Sequence, residues 1–203
     1  MSNRRVSNLI RLYETTSGRG KRRKSVHAAD VLRAAMVFAH ATLEDFIRSI
    51  CAYFLPQADG SVLDDIPLVG LTSAGRPEKF LLGRLAAHRG KPVDELIRIS
   101  VRTYLDRSTF NSTQDIPAAI KRCGLDVWTI EKLFPRLDQL TKRRHQIVHR
   151  ADKSRKSGAG KQHAESLSPV DVKIWLGAVR DVFRGLWGNV LVRQKELHSQ
   201  SSV

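Results

Sequence analysis

Residues 26–55 read VHAADVLRAAMVFAHATLEDFIRSICAYFL and run directly into Pro56. Val31, Leu32, Ala35, Phe38, Ala39, Thr42, Leu43, Phe46, Ile47, Ile50 and Phe54 recur at helical spacing, with alanine as filler and Asp30 near the start. The proline ends the run, because it has no N–H for the helical ladder and its ring clashes with the preceding turn. At 1.5 Å per residue such a helix is about 45 Å long. An apolar stripe of that length is stable only when several other helices cover it. This stretch therefore predicts an all-α bundle.

The flanking sequence supplies the other helices. Residues 1–16 carry Leu9, Ile10, Leu12 and Tyr13 as the apolar side of a short helix, which Gly18 and Gly20 would end. Residues 56–77 are punctuated by Pro56, Gly60, Pro67, Gly70, Gly75 and Pro77 and read as a loop. Two shorter helices are predicted at 78–88 and 92–106, separated by Gly90 and Pro92. Pro92 suits the first helical position, with Asp94 and Glu95 in the turn where the helix dipole favours acids. Residues 107–116 form a polar turn region, and a short helix from Pro117 ends at Gly124, a suitable left-handed C′ residue. Asp126 could cap a short helix through Phe134, with Pro135 starting or kinking the helix over 136–153. Residues 154–167 are loop-like in composition. Ser168 then serves as N-cap and Pro169 as first residue of a last helix to about Leu197, built on Val172, Trp175, Leu176, Val179, Val182, Phe183, Leu186, Trp187, Val190 and Leu191. Trp175 and Trp187 lie roughly 120° apart on it, and read as core and interface anchors rather than base-stacking platforms. No stretch alternates with strand period, and no internal repeat stands out. The expected organisation is a basic N-terminal arm (1–25), a bundle of four main helices with additional short ones (26–197), and a flexible tail (198–203).

The charge of the chain is +15, and its location matters more than its size. Residues 1–25 hold eight Lys/Arg and one acid, Glu14, and residues 142–163 hold eight Lys/Arg and one acid, Asp152. The rest is nearly neutral. Concentrated cations attract polyanions through counterion release. The alternative for Gly18–Lys24 (GRGKRRK) is a solvated tail, and residues 19–25 have no apolar side with which to enter a membrane surface. Hydrophobic residues make up 41% of the chain, enough for a core, yet no run of 18 apolar residues occurs. The first 25 residues lack the apolar stretch of a secretory signal, although their Arg- and Ser-containing character leaves an organelle transit peptide open. Cys51 and Cys123 show no metal-ligand spacing, so neither a disulfide framework nor a cysteine zinc site is expected, and a reducing, cytoplasmic location is the default.

Chemistry concentrates in Lys142–Asp152, KRRHQIVHRAD. Leu133, Leu137, Leu140, Ile147 and Ala151 share one helical stripe, and Arg144 falls inside it. An arginine facing a helix seam requires a carboxylate, a phosphate or a wet cleft, because an unpaired buried charge is very costly. His145 and His149 are one turn apart on a neighbouring face, with Asp152 one turn beyond. Histidine titrates near neutrality and moves protons, while arginine grips phosphate oxygens as a fork. Together they suit phosphodiester cleavage in which a ribose 2′-OH is the nucleophile. The pair at i, i+4 could also ligate a metal, although only Asp152 stands near enough in sequence as a third ligand. The surrounding cations Lys142, Arg143, Arg150, Lys153, Arg155 and Lys156 are candidate RNA contacts.

The stretch RRHQIVHRAD resembles the signature of HEPN domains: an arginine, a polar residue (Asn, His or Asp), three residues, then histidine. Arg144, His145 and His149 fit in order, with apolar Ile147 and Val148 between. The motif lies in a late helix, after the long early helix carrying ATLEDFIRSI (Ala41–Ile50) and before one last long helix. STFNSTQDIPAAIKRCGLDVW is also similar to the middle of bacterial HEPN proteins found beside defence or toxin–antitoxin genes. The likeness covers roughly residues 26–195 as architecture and about ten residues as a specific motif. It implies a metal-independent endoribonuclease without cofactor, acting as a homodimer whose two motifs line one cleft. Arg144 and His149 would be the essential pair and His145 the orienting residue. Glu44 or Asp45 on the early helix would support the arginine. The products would be a 2′,3′-cyclic phosphate and a 5′-hydroxyl, and a toxin of this kind implies a cognate antitoxin or inhibitor.

Arg144 and His149 are five residues apart, so on a straight helix they diverge by roughly 140°. Either the motif straddles a dimer cleft or the helix loosens before Lys153. The competing reading is a non-catalytic module that binds RNA, a nucleotide or a partner protein through the same cations. A helix-turn-helix DNA reader is disfavoured, since no paired-helix unit of about 20 residues is found. The loop 154–167 is expected to fold over a bound polyanion.

Overall fold

The structure is a computed structural model and describes residues 2–16, 26–68, 86, 88–110, 112, 114–150 and 166–200. Every regular element among these residues is helical. In chain order they are α1 (Ser2–Thr16), α2 (Val26–Phe54), α3 (Gly60–Leu63), α4 (Val93–Arg107), α5 (Asp115–Arg122), α6 (Phe134–Arg150) and α7 (Pro169–Gln200). Single 3₁₀ turns occur at Leu55–Gln57 and Glu131–Leu133. The all-α class follows the expectation. All of the predicted helix at 78–88 but residues 86 and 88, the GRGKRRK segment and nearly all of the loop 154–167 lie outside the described residues. Among the described residues no helix is long and apolar enough to cross a membrane.

The long helix α2 is the hub on which α1, α4, α5, α6 and α7 all pack. Leu32, Met36, Leu43 and Ile47 on its inner side are fully buried. Phe46 meets Phe183 of α7 edge to face, with ring centroids 4.3 Å apart. Phe38 does not join them and is 47% exposed. It shares the open side of α2 with Asp45, Ser49 and Ala52, all exposed, at successive spacings of seven, four and three residues.

The segment read as a basic arm is partly core. α1 is as long as α4, 15 residues each, and packs on α2 with Val6 and Tyr13 buried, while Leu12 is left exposed. Glu14 pairs with Lys173 of α7 at 2.6 Å. Net positive charge marks this segment, yet burial needs only one narrow apolar stripe, and composition does not show which residues form it.

The helix boundaries follow local chemistry. Gly124 takes φ +69°, and the N–H groups of Gly124 and Leu125 bond back to the carbonyls of Lys121 and Ile120, closing α5 in a Schellman motif. α5 begins at Asp115, ahead of Pro117, because Ser112 and Asp115 cap each other. The Asp115 N–H donates to Ser112 Oγ at 3.1 Å, and the Ser112 N–H to Asp115 Oδ2 at 2.9 Å. Pro92 sits one residue before α4 rather than at its first position. Asp126 accepts from the Trp128 N–H at 3.0 Å, which makes a local Asx turn and not a helix cap. Ser168 Oγ accepts from the Val170 N–H at 3.2 Å, so the expected N-cap of α7 is in place. α7 continues through Gln200 and takes the first residues of the expected tail into the helix.

Trp175 of α7 is buried, and its indole N–H donates to Gln139 Oε1 of α6 at 3.2 Å. Trp187 is 58% exposed and is not a core anchor. Near it α7 passes close to the turn before α6. A Cβ on Gly185 would lie 2.8 Å from Cγ2 of Ile130, which is fully buried. Gly185→Ala is expected to destabilise the fold by about 1–2 kcal/mol in urea denaturation, because overpacking outweighs alanine's better helix propensity. Gly177, where a Cβ meets nothing within 4 Å, gives the opposite sign, a gain of up to about 1 kcal/mol on change to alanine.

The two cysteines, unrelated by sequence spacing, meet in the core. Both are free thiols, and Cys123 Sγ–H donates to Cys51 Sγ at 3.6 Å.

Candidate functional site

The site is built on α6. Leu133, just before it, and Leu137 and Leu140 within it are buried, and Ile147 packs against the same core. This is the stripe expected from their spacing. The arginine nearest the seam differs from the expectation. Arg143 is only 9% exposed, whereas Arg144 is intermediate. Position 143 follows Leu140 by three residues and precedes Ile147 by four, so it falls under the stripe as readily as 144 does. Arg143 already holds an interaction within the fold. As a candidate RNA contact Arg143 therefore differs from the exposed Lys142, since a side chain this buried has little surface to offer a polyanion.

Facing α6 across the core is a polar stripe on α2. His40, Glu44 and Arg48 follow one another at i, i+4 and share one face. Arg48 donates from Nη1 to the carbonyl of Leu105 and from both Nη atoms to that of Ser108 at 3.3 Å. The Arg48 guanidinium also lies 5.6 Å from the centroid of the Phe110 ring. A cation is thus placed on the carbonyl end of α4, where the helix dipole favours it. That tie positions the turn after α4, and the backbone N–H of Phe110 donates to the Glu44 carboxylate. His40 is 1% exposed, with Nδ1 3.5 Å from Glu44 Oε2. The His40 Nε2 has no hydrogen-bond partner among the described residues.

Glu44 is held below the ordinary carboxylate range. The His40 ring beside it contributes most, followed by the Phe110 N–H and the Arg144 guanidinium, while partial burial acts in the opposite direction. The Arg144 guanidinium is the weakest of these influences on Glu44. Asp45 is exposed on the open side of α2. The depressed folded value means that the carboxylate stabilises the fold above the ordinary value of 4.5 and loses that contribution as pH falls through the lower folded value. Glu44→Gln is expected to cost about 1–3 kcal/mol near pH 7 and to flatten the loss of stability below about pH 4.5. Thermal midpoints of parent and variant across that range check it, and parallel slopes would contradict it.

His145 and His149 lie on the outer side of α6. Both are exposed, and their rings approach to 4.5 Å between centroids at 42°. Lys142 is exposed and pairs with Asp138 at 2.6 Å. One helix therefore presents two accessible imidazoles and, towards α2, a guanidinium near a carboxylate. Arg144 and the histidines occupy different sides of α6. Asp152, Lys153, Arg155 and Lys156, and the side chain of Arg150, lie outside the described residues. Among the described residues no three His, Cys, Asp or Glu side chains group as metal ligands.

The sequence reading missed His40 and Arg48. The H-x3-E-x3-R spacing within the early helix, three polar groups on one side of an otherwise apolar element, was the signal that could have found them. Compared with known proteins, the chain matches no family model, no curated protein and no solved structure.

Proposed function

We propose that this chain is a HEPN-type, metal-independent endoribonuclease that cleaves RNA through attack of the 2′-OH, with its site completed at a homodimer interface. What supports the reading is the position of the motif residues on α6: Arg144 half-buried, its charge acting on the Glu44 carboxylate of α2, and His145 and His149 accessible on the same helix. In this reading Arg144 binds the scissile phosphate and stabilises its developing charge. Glu44 orients the guanidinium, His149 moves the proton, and His145 orients the pair. Pairing two copies of α6 would set each arginine against the other protomer's histidine, which the divergence of the two side chains on one helix calls for. A toxin or antiviral effector acting on cytoplasmic RNA, restrained by a cognate antitoxin or inhibitor, fits such an activity.

The test is incubation of the full chain with RNA in EDTA. Cleavage that persists and leaves 2′,3′-cyclic phosphate ends supports the proposal. Salt-sensitive RNA binding with intact RNA after long incubation would make the chain a binding module instead.

A further inference from the structure

Beyond the α6 site, the core holds a pair of thiols placed for chemistry. Cys51 continues the polar stripe of α2, three residues after Arg48, and Cys123 is the residue that ends α5. Their sulfurs are 3.6 Å apart and 72 residues apart in the chain. A disulfide needs a separation near 2.05 Å, so the sulfurs must approach by roughly 1.5 Å, within reach of side-chain rotation and a small helix shift.

The two thiols are not equivalent. Cys51 lines a cavity of about 300 Å³, together with Tyr104, Phe110, Asp115 and Arg122, and Cys123 is not part of its wall. That volume is several times the ~30 Å³ of a water molecule and admits a small hydroperoxide. The cavity wall is ordered by Arg122, which donates from Nη1 to the Tyr104 hydroxyl at 2.9 Å and from Nη2 to the Val62 carbonyl at 3.3 Å. The S–H of Cys123, then the guanidinium groups of Arg122 and Arg48, hold the Cys51 thiol below its usual range against the effect of burial. The same hydrogen bond, together with burial, pushes Cys123 up. Both cysteines are buried, so what sets Cys51 apart is its place on the cavity wall beside cationic groups, the surroundings that favour a reactive thiolate.

We propose that Cys51 and Cys123 form a peroxide-reactive dithiol, with Cys51 the attacking and Cys123 the resolving residue, whose oxidation closes a disulfide between α2 and α5. The Cys51 thiolate attacks one oxygen of a hydroperoxide. An S–O bond forms, the O–O bond breaks, and the departing alkoxide takes up the proton released when Cys51 ionised. Cys51 is then a sulfenic acid, its sulfur oxidised and the peroxide reduced to an alcohol or, from hydrogen peroxide, to water. The Cys123 sulfur next attacks Cys51 Sγ. The S–S bond forms, the S–O bond breaks, and the hydroxyl leaves as water with the Cys123 proton. One hydroperoxide is consumed per disulfide. Neither Arg144 nor His149 takes part, so the inference stands apart from RNA cleavage.

The experiment is titration of the folded, reduced chain with hydrogen peroxide, followed by intact mass measurement and thiol alkylation after unfolding. The expected result is loss of both thiols within a monomer, with a mass lower by about 2 Da that dithiothreitol restores. The unfolding midpoint should rise by roughly 5–10 °C. Cys123→Ser should stop at a Cys51 sulfenic acid captured by dimedone, and Cys51→Ser should react at least about tenfold more slowly than the parent. Retention of both thiols at peroxide levels that oxidise the unfolded chain would overturn the proposal. So would oxidation of Cys51 beyond sulfenic acid with no disulfide, or Cys51→Ser reacting as fast as the parent.

Discussion

His149→Ala is expected to lower RNA cleavage by about 10²–10⁴-fold, the range lost when a positioned general acid or base is removed. The fold should be untouched, because His149 is exposed on the outer side of α6 and a surface substitution there costs within about 0.5 kcal/mol. Cleavage rates in EDTA and thermal midpoints, measured on the same preparations, separate the two effects. Arg144→Lys sharpens the test. Lysine keeps the charge but loses the planar fork that holds two phosphate oxygens, so a large loss is expected there too. Arg144 and His149 diverge by roughly 140° on one helix, which is why the proposed site draws on two copies of α6. Activity per chain should therefore fall on dilution below the dimer dissociation constant. Equal cleavage by parent and His149→Ala would remove the histidine from the chemistry. A rate per chain independent of concentration would remove the paired site.

Leu140→Ala is expected to destabilise the fold by about 2–5 kcal/mol, through lost apolar transfer and the cavity left behind. Leu140 is fully buried on the side of α6 that meets α2, one turn before Arg144. In a chain of this size that corresponds to a midpoint lower by roughly 5–15 °C. Val148→Ala is the control. Its side chain is 48% exposed on the same helix, and its loss should cost less than about 0.5 kcal/mol. Denaturant unfolding of the two variants checks the difference, and equal stabilities would mean that α6 does not pack through the stripe at Leu137 and Leu140.

Much of this was legible in the residues themselves. The apolar recurrence along α2, the proline after it, Gly124, and the Ser168–Pro169 start of α7 are local signals whose meaning does not depend on distant parts of the chain. The misreadings came where neighbours decide. Phe38 fits the helical stripe but faces the side of α2 that the described helices leave open. Val6 was not placed on the apolar side of the first helix and is nonetheless core, while Leu12, placed there, is exposed. Arg143 and Arg144 both fall near the α6 stripe, and the rotation of α6 against α2 chose which one to bury. Trp187 was read as a core or interface anchor from its type and spacing, yet it faces away from the core on a stretch of α7 whose other side packs through Gly185 and the fully buried Leu186.

By itself the amino-acid order determined the all-α class, most helix ends, the two cationic concentrations and the Arg144–His145–His149 constellation. These rest on backbone geometry and on a period of 3.6 residues, which act within a turn or two. Only the tertiary structure decided that Glu44 is half-buried while Asp45 is exposed, that His40 is buried beside Glu44, and that Cys51 and Cys123 touch. Helical period fixes a face only to about 100° of arc. Choosing between adjacent residues on that face, or joining sulfurs 72 positions apart, depends on how whole helices settle against one another.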